Sequence, residues 1–108
     1  MRFISLVSLT LFLFAPFAEA SAPSIEANLH YQKALKLSQQ RFWKDAIPEF
    51  IKAAKLEPKE GLLHANLGVA LSQTGMHKEA LFSFDKALKL GYESSGLRYN
   101  RGVSFAHL

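Results

Sequence analysis

GLLHANLGVALSQTGMHKEALFSFDKALKLGYES, residues 61 to 94, reads as two helices joined by a tight turn. Leu63, Leu67, Gly68, Ala70 and Leu71 recur at steps of three and four, which is one face of a helix over about 61 to 73. Thr74-Gly75-Met76 interrupts that pattern, and Gly75 can take the left-handed conformation that closes a helix. A second helix follows from about 77 to 90, with Ala80, Leu81, Phe84, Ala87 and Leu88 on its inner side and Gly91 at its end. Gly68 stands inside the first helix, where glycine costs about 1 kcal/mol relative to alanine. Its presence predicts a close approach of the paired helix, with Phe84 packed near the gap.

The same plan precedes this stretch without a gap. Laying residues 27 to 60 over 61 to 94 gives twelve identities, among them Leu29-His30 on Leu63-His64, Leu37-Ser38-Gln39 on Leu71-Ser72-Gln73, Ala46 on Ala80 and Phe50 on Phe84. One fixed period, which carries position 27 to 61 and 61 to 95, is the signature of a stacked helical repeat. In this first unit Ser24 is the expected N-cap, with Glu26 in the first turn of a helix over about 25 to 39. A turn at Gln40-Arg41-Phe42 and a helix over about 44 to 57 complete it, with Pro58 as the stop. Pro48 lies inside that helix and removes a donor near its first turns, which predicts a slight bend and no break. A third unit opens at Ser95, since Leu97, Asn100, Gly102 and Val103 fall one full period after Leu63, Asn66, Gly68 and Val69. It ends at its first helix with no second helix over Gly102 and Phe105, and the expectation is a truncated or continuing array in preference to a capping helix.

These residues resemble the tetratricopeptide repeat family, whose unit favours a large residue, Leu-Gly, a second large residue, Ala, an aromatic, Ala and a closing Pro at set places. In the second unit those places hold His64, Leu67-Gly68, Leu71, Ala80, Phe84, Ala87 and Tyr92. In the first they hold His30, Lys33-Ala34, Leu37, Ala46, Phe50, Ala53 and Pro58, with Lys33 in place of leucine suiting a terminal face open to water. The resemblance covers residues 25 to 108 and implies an all-α fold of stacked antiparallel helical hairpins in a right-handed solenoid, with about five helices. The resulting organisation is a leader over 1 to 20, a linker and N-cap over 21 to 26, repeats over 27 to 60 and 61 to 94, and an incomplete or capping repeat over 95 to 108.

The leader is read from the residues. Met1-Arg2 is followed by an apolar run from Phe3 to Phe17 and by Ala18-Glu19-Ala20, the basic start, greasy middle and A-x-A site of a secretory signal peptide. The run is shorter than the roughly 20 apolar residues that span a bilayer, which argues against a permanent anchor. Cleavage after Ala20 removes Arg2 and Glu19 and leaves 12 basic and 8 acidic side chains, a formal charge of +4. The lysines are scattered along helices as a solvated face would have them, and the export signal argues against nucleic acid. The chain has no cysteine, so neither a disulfide framework nor a lipidated thiol is available. The expected location is the periplasm or the exterior.

In the resemblance the first helix of each unit lines a concave groove. Carried over, the groove residues are Asn28, Tyr31, Leu35, Ser38 and Gln39 in the first unit. The second contributes Leu62, Ala65, Val69, Ser72 and Gln73, and the third Gly96, Tyr99 and Val103. The partner-binding set expected from these is Tyr31, Leu35, Gln39, Leu62, Ala65, Val69, Gln73, Tyr99 and Val103, a partly apolar surface with two tyrosines for a peptide or protein segment. The Lys, Asn and Arg set with which some members grip a C-terminal carboxylate is missing, because Tyr31, Leu35, Gly96 and Asn100 replace it and only Asn66 remains. His30 and His64 hold equivalent places, yet stacked helices lie about 8 to 10 Å apart and zinc wants ligands near 2 Å, so helix packing and no metal or cofactor is expected. Asp45, Glu49, Glu79 and Asp85 lie on helices beside lysines and are expected to be solvated partners of them. No nucleophile motif or phosphate loop is present, and no enzymatic chemistry is expected. The sequence therefore reads as an exported scaffold or adaptor, with an N-terminal accessory region of a longer exported enzyme or envelope-assembly protein as the alternative. Self-association through residues 95 to 108 is a third option.

Overall fold

The computed structural model of the chain describes residues 24 to 108, so the expected leader over 1 to 20 lies outside the described residues. Five helices follow in order: α1 Ile25–Gln39, α2 Trp43–Leu56, α3 Gly61–Gln73, α4 His77–Lys89 and α5 Ser95–Ala106. No strand occurs among the described residues. Each helix packs on the next, and α5 also touches α3. The fold is an all-α stack of helical hairpins.

The turns repeat as the sequence does. Helix α3 closes with the Met76 amide donating to the Leu71 carbonyl at 2.9 Å and the Gly75 amide to the Ser72 carbonyl at 3.1 Å. This is a Schellman cap, with Gly75 at φ +82°. Helix α4 closes the same way at Gly91, φ +87°, with the Tyr92 amide on the Ala87 carbonyl at 3.0 Å. Helix α1 makes the same cap through Arg41, the counterpart of Gly75 in the preceding repeat, which takes φ +64° although it carries a Cβ. At the opposite ends Ser24 and Ser94 are N-caps whose hydroxyls accept from Ala27 and Leu97 at 3.1 and 3.0 Å. Helix α2 runs unbroken through Pro48, which sits on its exposed side.

Three apolar clusters form the core, and all of their members lie between Tyr31 and Leu97. Phe50 and Phe84 are the large side chains at their centres, 1% and 0% exposed, each stabilising by roughly 1.5–3 kcal/mol through burial. Small residues make room for them. A Cβ on Gly68 would lie 2.5 Å from the Phe84 ring, so the glycine is where α3 admits the aromatic of α4. Gly61 is equally tight, since a Cβ there would meet that of Tyr92 at 2.5 Å. The helices from Ile25 to Ala106 thus carry their own core, and the chain from Ser21 contains every part of it.

One acidic residue departs from the sequence reading. Glu49, expected among the solvated carboxylates, is buried against α1, with the His30 Nδ1 donating to its Oε2 at 2.6 Å. The Lys33 and Lys52 ammonium groups lie 3.4 and 3.6 Å from its other oxygen. Lys33 therefore stands where the repeat has leucine because it reaches a carboxylate from an exposed position, and solvent access alone is not the reason. The hydrogen bond from His30, supported by the two lysines, holds the Glu49 carboxyl below the usual glutamate range against the opposing effect of burial. Asp85 likewise has a partner, accepting from the Arg101 guanidinium at 2.7 Å. Asp45 and Glu79 are exposed, but neither forms an ion pair with a lysine among the described residues.

Candidate functional site

Helices α1, α3 and α5 come side by side and leave a hollow between each adjacent pair. The first, about 210 Å³, lies between α1 and α3 and is lined by Ala27, Asn28, Tyr31, Leu62 and Leu63, with Ser24, Glu57 and Glu60 around them. The second, about 170 Å³, lies between α3 and α5 and is lined by Ala65, Asn66, Val69, Gly96, Leu97 and Asn100, with Tyr92 and Ser94 beside them. Asn66 links the two, because its side-chain amide donates to the Tyr31 hydroxyl at 3.3 Å.

Tyr31 is held from below. Its ring packs on Phe50, centroids 6.3 Å apart at 53°, and belongs to the margin of two core clusters. Burial pushes its phenol above the usual tyrosine range, partly offset by the bond from Asn66. The hydroxyl therefore stays protonated at neutral pH. With a lone pair engaged by Asn66, its own O–H proton can be donated into the hollow. Glu57 has a structural duty as well, accepting from the backbone amide of Ser24 at 2.7 Å and so tying the start of α1 to the end of α2.

The expected groove residues are distributed unevenly over this surface. Tyr31 and Leu62 line the first hollow, and Ala65 and Val69 the second. Leu35 is half-buried and packed into the core of the first hairpin. Gln39 is exposed at the end of α1, while Gln73 lines a separate recess with Phe42, Trp43 and Thr74 at the turn end of the stack. On α5, Tyr99 is 72% exposed and Val103 half-buried, and neither lines either of these two hollows. Glu57, the C-cap of α2, Glu60, the N-cap of α3, and Tyr92, just past α4, enter the lining from the connections between hairpins. Tyr92 carried a signal in the sequence, since it replaces the proline that closes the first unit. The two glutamates carried none, because a helix-end acid looks the same whether or not a hollow lies beside it.

The histidines are occupied by packing. His64 is buried and its Nε2 donates to the Pro58 carbonyl at 2.9 Å, while His30 serves Glu49. His77 and His107 stack with centroids 4.4 Å apart. Ser104, fully buried, donates to the Ser72 hydroxyl at 2.9 Å, so its contact of 3.3 Å with the His77 Nδ1 is one in which the imidazole donates. Sequence reasoning missed this Ser72–Ser104–His77 chain, which pins α5 to α3 and α4. Among the described residues no three metal-ligating side chains converge, and no helix is long and apolar enough to cross a membrane. Compared with known proteins, the chain matches no family model and no curated protein.

Proposed function

We propose that this chain is an exported interaction module of the tetratricopeptide repeat type that holds an extended or helical peptide segment of another protein along α1, α3 and α5. The observation that carries the reading is the pair of hollows repeated between successive first helices and linked by the Asn66 to Tyr31 bond. A row of similar recesses along one surface suits a ligand whose side chains recur along a backbone. The repeat register supports the family assignment at the level of contacts, since the glycine and aromatic at the family's places meet in the core as Gly68 and Phe84.

The chemistry of the first hollow narrows the ligand. Apolar walls from Ala27, Leu62 and Leu63 end at Glu57 and Glu60 and at the Tyr31 hydroxyl. Such a recess suits a side chain with an apolar stem and a cationic tip, so a lysine or arginine in the bound segment is favoured. Tyr99 adds an exposed aromatic surface farther along.

The test is site-specific photo-crosslinking in the exported fraction, with the reactive residue placed at Leu62 or Tyr99, and at Phe82 on α4 as the outside control. A partner captured from 62 and from 99, and lost from 62 when Tyr31→Phe and Tyr99→Ala are combined, supports a groove module. Tyr31→Phe is preferred to alanine because the ring is part of the core. Capture from Phe82 alone, or capture indifferent to the double substitution, overturns the groove reading.

A further inference from the structure

Between the second helices, α2 and α4, lies a trough of about 450 Å³ that shares no residue with the two hollows of the first helices. Ile51, Ala54, Leu67 and Phe82 give it apolar walls, and Lys55 and Lys86 stand in its lining. Neither lysine forms an ion pair among the described residues, and no acidic side chain lines the trough. Two polar side chains are buried in it, His64 at 6% and Ser83 at 5% exposure. The Nε2 of His64 is engaged by the Pro58 carbonyl, whereas the Ser83 hydroxyl makes no hydrogen bond among the described residues. The first repeat shows what this place can hold. One period back, His64, Ser83 and Lys86 fall on His30, Glu49 and Lys52. There the Glu49 carboxylate accepts from His30 at 2.6 Å and lies 3.6 Å from the Lys52 ammonium. The second repeat keeps the histidine and the lysine, but a short hydroxyl side chain stands where the carboxylate was. Leu67 replaces Lys33, and Lys55 of α2 supplies the second cation instead.

We propose that the trough is a second docking site, for an acidic segment of a partner protein. An Asp or Glu carboxylate of that segment takes the place Glu49 has in the first repeat, accepting from the Ser83 hydroxyl and facing the two lysine ammonium groups. An apolar side chain next to it lies on Ile51 and Phe82, which are 37% and 72% exposed. Charge decides the class of ligand: a recess with two unpaired cations, a buried hydroxyl and no acid favours an anion. Shape decides its size. Small-molecule pockets bury about 70–90% of their ligand, and a trough whose wall residue Phe82 is itself 72% exposed cannot do so, whereas a segment held along its length needs no enclosure. The polarity is opposite to that of the first hollow, where Glu57 and Glu60 favour a cationic tip, so the two surfaces select different segments.

The test is an NMR titration of the isotope-labelled chain from Ser21 with a capped tetrapeptide of leucine, glutamate, glutamate and leucine, up to ~10 mM, the range in which a contact of two side chains saturates. The backbone amides of Lys55, Ser83 and Lys86 should shift together along one saturating curve. The same peptide with glutamine for glutamate should bind about ten-fold more weakly, as expected for the loss of a hydrogen-bonded charge. Ser83→Glu puts a carboxylate of the chain's own into the site, as Glu49 does in the first repeat, and should abolish the shifts with the circular dichroism spectrum unchanged. Lys86→Gln, at an exposed position, should weaken binding several-fold and keeps the test decisive if Ser83→Glu does not fold. Equal binding of the two peptides, shifts spread over the lysines of every helix, or shifts at Tyr31 and Leu62 instead overturn the docking site. Hexanoate binding as tightly as the peptide also overturns it and makes the trough a small-molecule site. The groove proposal is scored separately: Tyr31→Phe with Tyr99→Ala should leave this titration unchanged, and Lys86→Gln should leave crosslinking from position 62 unchanged.

Discussion

Replacing Gly68 by alanine adds one methyl group at the most crowded point of the second hairpin. The new Cβ would lie 2.5, 2.6 and 3.0 Å from three carbons of the Phe84 ring, whereas ordinary contacts run from 3.4 to 4 Å, so ring or helix must withdraw by close to an ångström. Phe84 is fully buried and has no open side to move into. Overpacking a close-packed core by a methylene costs about 1–3 kcal/mol, and the upper end applies here because the clash is with a rigid ring. Alanine regains about 1 kcal/mol of helix propensity, which leaves a net loss of about 2 kcal/mol. Gly102→Ala is the internal control: same register, same residue types, nothing within 4 Å, and therefore a gain of up to about 1 kcal/mol. Urea unfolding at low micromolar concentration, followed by circular dichroism, measures both from the shift in midpoint at constant slope. For a domain of this size a loss of about 2 kcal/mol lowers Tm by roughly 8–16 °C. A Gly68→Ala chain as stable as the wild type, or a Gly102→Ala chain that loses as much, would refute the reasoning that Gly68 exists to admit Phe84.

Arg41→Gly should raise stability by about 0.5–1 kcal/mol, because the left-handed conformation costs a residue with a Cβ about 1–2 kcal/mol and glycine's extra freedom in the unfolded chain returns only part of that. The same urea experiment reads it, and a neutral or negative result would mean the Arg41 side chain makes a compensating contact. Glu49 ties stability to pH. Its folded carboxyl titrates below the ordinary value of 4.5, so the unfolded chain binds the proton more readily. Its contribution is complete above that value and is lost as pH falls through the folded range. Glu49→Gln should therefore be less stable than the wild type at neutral pH and show a shallower decline in Tm below about pH 4.5. Parallel curves for the two proteins would remove Glu49 from the account of acid stability.

The hairpins were readable because local chemistry and tertiary packing agree in them. Apolar and small residues at helical spacing set α1 to α4 within a residue or so of their observed ends. Gly75, Gly91 and Ser24 terminate helices through bonds to backbone atoms only a few residues away, and a sequence displays such bonds directly. Even the contact between Gly68 and Phe84 could be expected, since a mid-helix glycine needs a neighbour and the repeat offers one aromatic at the right distance. The candidate surface was less readable. Asn28, Tyr31, Leu62 and Val69 line the two hollows, and the sequence pointed to them only through a family resemblance, whereas Leu35 packs toward the cluster of Ala34, Ala46, Phe50 and Ala70.

Sequence by itself determined the repeat, the order and limits of the helices and the place of the turns, because each depends on residues within one or two helical turns of one another. Tertiary structure alone decided the fate of the polar groups. Glu49 and Asp45 look alike on paper, both acids on one helix among lysines, yet one is buried under His30 and the other faces water. Ser104 is one small residue in a polar stretch until stacking brings Ser72 and His77 to it across more than two dozen positions of chain. The physical reason is the same in both cases: a polar side chain's environment is set by whichever distant helix arrives beside it, and the free energy of burying it depends on whether that helix brings a partner.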